Sequence, residues 1–153
     1  MSTGRIAAAI VGIAIVVIYA GGSSYWVENA SDWYLSLRRP SWQPPNVVFG
    51  IIWPYNFLML GIAMWVLPRQ APASDVVVAL TCFGLSVAAA LLWSYLFYGP
   101  HQLVPATAAL VVTTVLTVPL LAMVFRTSPE LGWALVPYQL WLATATSLCW
   151  GYA

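Results

Sequence analysis

Two tryptophans define the chemistry this sequence offers. Trp53 sits between Phe49 and Phe57 at four-residue spacing, and Trp141 sits between Pro137 and Ala145, with Cys149 one step further on. Residues four apart share one face of a helix, so each run sets large rings beside smaller neighbours. Ala90, Trp93 and Ser94 share a face in a third segment, and the polar Asn56 lies within the Trp53 run. Faces of this kind can hold a flat ligand by stacking inside a helical bundle. The same faces serve equally for plain helix packing or contact with lipid. Arg38 and Arg39 are adjacent; they suit either acidic groups at a membrane surface or headgroups reached by snorkelling.

Other chemistry is missing. There is no Ser/His/Asp or Cys/His set, and no metal-ligand set. His101, the single histidine, falls in a Gly-Pro-His break and reads as a turn residue rather than a haem ligand. Cys82 and Cys149 lie within apolar segments, where free buried thiols are the default. No Asp, Glu, Lys or Arg lies inside those segments, so no charged proton relay is visible. A proton-coupled drug or solute transporter is disfavoured on that ground. The net charge of +1 gives no footprint for nucleic acid.

The elements that must carry these residues are membrane spans. The chain is 62% hydrophobic and 6% charged, with a mean hydropathy of +0.87. A soluble domain carries roughly 25% charged residues to solvate its surface. The nine charges, Arg5, Glu28, Asp32, Arg38, Arg39, Arg69, Asp75, Arg126 and Glu130, leave long uncharged runs between them. Runs of about 20 apolar residues span a bilayer as helices. The reading is an all-α integral membrane protein, a single domain over 1–153. Its five spans run at about 6–25, 47–67, 76–98, 103–125 and 133–152. Short connections make it an up-down bundle with termini on opposite faces, and Ser74 is the expected N-cap of the third span. The first span also has the look of a secretory signal peptide; the expectation is that it stays. Arginines divide three to two between the faces, too even for orientation.

The longest connection, about Val27 to Asn46, is dense in aromatics and proline, as a flexible linker is not. Trp33-Tyr34, Leu37, Arg39-Pro40-Ser41-Trp42 and Pro44-Pro45 resemble the first-loop signature of the TspO/translocator protein family. Its members are also called tryptophan-rich sensory proteins or peripheral-type benzodiazepine receptors. Phe49, Trp53 and Gly61 fit the second helix of that pattern. Trp93-Ser94 and Phe97-Tyr98-Gly99 fit the third. Pro137-Tyr138, Trp141, Ala145-Thr146 and Leu148 fit the fifth, so the resemblance covers nearly the whole chain. Departures are Ala90 and Cys149 where Asn is usual, Pro54 for Thr, Phe57 for Tyr, and Asn56 for an apolar residue.

The resemblance implies a membrane sensor or carrier of tetrapyrroles, protoporphyrin IX or haem, with no obligatory cofactor. Sterols and benzodiazepine-site compounds are further ligands of the family. Trp53 and Trp141 would stack on the macrocycle, Tyr34 and Trp42 would close the pocket, and Arg38 or Arg39 would meet the propionates. Light-dependent porphyrin degradation, with Trp53 and Trp141 as participants, is the enzymatic alternative. A homodimer through the third span is implied as well, with Gly84 and Ala88 as the small-residue contact. The sterol motif of some members is incomplete here, because only Ala153 follows Tyr152. A bacterial cell membrane is the expected location.

Overall fold

The computed structural model describes residues 2–28 and 31–153. Among them are six α-helices and no strand: α1 Thr3–Glu28, α2 Ser31–Ser36, α3 Asn46–Gln70, α4 Ala73–Tyr98, α5 Leu103–Thr127 and α6 Pro129–Tyr152. Backbone groups in hydrocarbon have no water to bond, so helix is what such apolar runs form. Four helices, α1, α3, α4 and α5, are long and apolar enough to cross a membrane. The expected count of five is thus not reached on apolarity: α6 is long enough but carries more polar side chains. The extra helix, α2, lies in the connection expected to be a structured loop. Positions 29–30 of that connection fall outside the described residues.

Proline and glycine set the helix ends. α3 starts after Pro44-Pro45, and α4 starts after Pro72, which occupies the N-cap position. Ser74 therefore lies inside α4 and caps nothing. Ser128 does cap α6, its side chain accepting from the Leu131 N–H. The break at 99–102 passes through His101 at φ 59°.

The long helices form a closed ring. α1 packs on α3 and α4, α5 packs between α4 and α6, and α6 returns to α3. Gly12 allows the close approach of α1 to α3, because a Cβ there would fall 2.8 Å from Met64 Sδ. The segment with signal-peptide character is thus an integral wall of the bundle. Polar side chains satisfy one another across α5 and α6: Thr117 donates to Gln139 Oε1 at 2.7 Å, and Gln139 Nε2 donates to the Thr114 carbonyl at 2.9 Å. At the centre, the Tyr138 hydroxyl donates to the Tyr19 hydroxyl at 3.2 Å. Outside the bundle, Ile10, Val17, Val77, Leu85, Val115 and Leu140 are exposed, as a lipid-facing surface requires.

Candidate functional site

One end of the bundle holds a cavity of about 490 Å³. Its walls are the C-terminal ends of α1, α4 and α6 and the N-terminal half of α3, with α2 across the top; α5 contributes no lining residue. Phe49, Trp53 and Phe57 line it from α3, Trp93 from α4, and Trp141, Ala145 and Cys149 from α6. The rings interlock. Phe49 meets Trp141 edge-on at 4.8 Å, and Trp53 lies nearly parallel to Phe57 at 5.5 Å. Tyr19 backs both from α1, edge-on to Phe57 at 5.2 Å and to Trp53 at 6.1 Å.

Trp53 and Trp141 stand 6.3 Å apart with their planes at 87°. A planar ligand can therefore lie flat on one ring while the other meets its edge. Both arrangements are favourable for aromatic pairs. The indole N–H of Trp141 is buried and has no hydrogen-bond partner.

α2 is held down by aromatic contacts. Trp33 packs on Phe97 at 5.1 Å and stacks on His101 at 3.8 Å with 5° between planes. This gives the histidine of the chain break a partner the sequence did not suggest. Tyr34 reaches the cavity, its hydroxyl 3.3 Å from that of Tyr152, which in turn donates to Gln43 Oε1.

Several expected wall residues lie elsewhere. Trp42 is 56% exposed and does not close the pocket. With Pro40 it packs over Gly151 on the outside of α6, and its indole N–H donates to Ser147 Oγ at 3.3 Å. Arg38 and Arg39 are exposed and line none of the cavity. Asn56, Ala90 and Ser94 are fully buried in the helix core and are not lining residues. Asn56 is adjacent to Phe57 in the chain, and one residue turns a helix by about 100°, which takes it off the cavity face that Phe57 keeps.

Other wall residues were not anticipated. Ser23, Ser24, Val27 and Glu28 come from the end of α1, and Asn46 from the start of α3. In the sequence, Phe97 and Tyr98 stand out only as family pattern, and Tyr152 only as part of an incomplete motif. The signal that could have found them is position: all lie where helices end beside the aromatic loop. Gly84 is in ordinary contact with Ile15 of α1, and Ala88 is exposed on the outer face of α4.

Similarity to known proteins follows the same residues. The sequence profile of the TspO/MBR family matches residues 9–153. A tryptophan-rich protein TspO of Chlorobaculum tepidum is 30% identical over 139 residues, covering 90% of this chain and 87% of that protein. A tryptophan-rich sensory protein of Cereibacter sphaeroides is 27% identical over 117 residues, covering 76% and 72%. A translocator protein of Sus scrofa is 29% identical over 118 residues, covering 76% and 70%. With the profile match spanning almost the full length and the aromatic bundle in place, this chain is an integral membrane protein of the TspO/MBR family.

Proposed function

We propose that this protein is a membrane receptor or carrier for a flat hydrophobic small molecule, held in the aromatic cavity under α2. The observation that carries this reading is the cavity itself. Its volume of about 490 Å³ falls in the range of small-molecule sites, and its walls are largely aromatic. The names of the relatives, sensory and translocator proteins, point the same way. A tetrapyrrole such as protoporphyrin IX or haem is the first ligand to test, and a sterol-like body the second. The macrocycle would lie on Trp53 or Trp141 and meet the other edge-on, with its propionates directed outward. In this reading α6 is the fifth span, and the chain is a single five-span domain with a structured first loop.

Titration of the purified protein with protoporphyrin IX, followed by tryptophan quenching, tests the proposal. Saturable quenching is expected. Trp53→Phe and Trp141→Phe should each weaken it by about three- to tenfold, the worth of one aromatic contact. Affinity unchanged in both variants would remove the ligand from this cavity. Because Trp53 and Trp141 both border the cavity, light-dependent degradation of bound porphyrin is the second reading. It requires bound porphyrin absorbance to fall under aerobic illumination and to persist in the two variants.

A further inference from the structure

The charge in the cavity wall is a carboxylate. Glu28, the last residue of α1, is the one Asp, Glu or Arg among the described lining residues, and no described cation pairs with it. Helix ends reinforce it. α1, α4 and α6 all finish at this end of the bundle, at Glu28, Tyr98 and Tyr152, and none has a basic residue in its last turn. Helix C-termini carry partial negative charge. The N-termini of α3 and α5 face the same end with the opposite sign; α3 lines the cavity from Asn46 and α5 lines none of it, so one positive helix end stands there against three negative ones. The aromatic faces of Phe49, Trp53 and Trp141 also attract cations, through their ring quadrupoles.

The opposing charges are Arg38 and Arg39. Both are exposed and outside the wall, although Arg39 is near enough to Tyr152 to act on it electrostatically. Coulomb interactions fall with distance, and more steeply where salt solution intervenes. Glu28 is exposed as well, but it lines the cavity and the arginines do not, so it is the charge in direct reach of a bound molecule.

We propose that the cavity selects a flat aromatic molecule carrying an amine cation, its rings against Trp53 or Trp141 and its ammonium group at Glu28. This rests on the reading that the cavity binds flat hydrophobic ligands, and it names the charge preferred beside Glu28; a tetrapyrrole would bind by its rings, with its propionates directed away from that wall.

The test uses three matched probes: anthracen-9-ylmethylammonium, anthracen-9-ylmethanol and anthracene-9-carboxylate. Each is titrated into the full chain in nanodiscs of zwitterionic phosphatidylcholine, with tryptophan quenching as readout. The ammonium should bind about five- to tenfold tighter than the alcohol, the size of an exposed ion pair plus a cation–π contact. The carboxylate should bind weakest. Glu28→Gln should bring ammonium and alcohol together by weakening the ammonium far more than the alcohol. Arg39→Gln should keep or widen the ratio. In the unaltered protein, raised salt should narrow it, a check that needs no folded variant.

Equal affinities for ammonium and alcohol, or a ratio that survives Glu28→Gln, would overturn the charge preference. The flat-ligand reading would still stand if the common affinity fell in Trp53→Phe. Saturable binding by none of the three would overturn both.

Discussion

Asn56 is completely buried on α3, and neither its amide nitrogen nor its carbonyl oxygen has a hydrogen-bond partner. A buried polar group left unpaired costs about 1–3 kcal/mol. An apolar residue of similar volume removes that cost, so Asn56→Leu should stabilise the bundle by about 1 kcal/mol. The midpoint of thermal unfolding in detergent would rise by a few degrees. A lower midpoint would mean that the carboxamide is satisfied in the membrane. Ligand affinity should change less than twofold, since Asn56 is not in the cavity wall. The two tryptophans were legible at this scale because large rings at helical spacing have few other uses in an apolar segment. Asn56 and Glu28 were misplaced or missed for a related reason. Spacing along one helix gives a face to within about a third of a turn, and that is coarser than the difference between wall and core.

Small residues make the same point for whole elements. Gly4, Ala8 and Gly12 on α1 and Gly84 and Ala88 on α4 follow one pattern in the sequence, yet their surroundings differ. Gly12 is pressed against Met64 within the chain, whereas Gly84 meets only Ile15, at 3.8 Å, and Ala88 is exposed. Gly12→Val should therefore destabilise the monomer by about 1–3 kcal/mol through overpacking. Thermal unfolding of the detergent-purified variant measures this, and an unchanged midpoint would show that Met64 moves aside freely. Ala88→Leu should leave monomer stability within about 0.5 kcal/mol, as surface changes usually do. If two copies associate through α4, as the family resemblance implies, it should also reduce the crosslinked dimer in membranes. A dimer that persists would place the contact elsewhere. Pattern alone could not separate the two stripes, because both satisfy the small-residue rule and only the neighbouring helix distinguishes them.

For the whole molecule, apolar runs bounded by charges marked the four most hydrophobic helices closely, since hydrocarbon leaves the chain little other choice. α6 was equally visible as a run, but it is the least obvious crossing. Its inward face carries Tyr138, Gln139, Trp141 and Thr146, which lower its hydropathy while serving the core and the cavity. Gln139 is satisfied by Thr114 and Thr117 of α5, so its polarity is spent inside the bundle and not on lipid. On the outward face, Trp133 is 69% exposed and Trp150 64%. They are 17 residues apart in one helix, or about 25 Å at 1.5 Å per residue. That is close to the separation of the two interfacial belts that tryptophan prefers. α6 should therefore cross the membrane and put Ala153 on the face opposite Ser2. Single cysteines at these two positions, with Cys82 and Cys149 replaced by serine, provide the measurement. In intact cells an impermeant maleimide should label one and not the other, and both after detergent. Labelling of both in intact cells would leave α6 on the same side as α1 begins. The cavity would then need a different way of closing, because Trp141, Leu148 and Tyr152 reach it only from a helix running the full depth of the bundle.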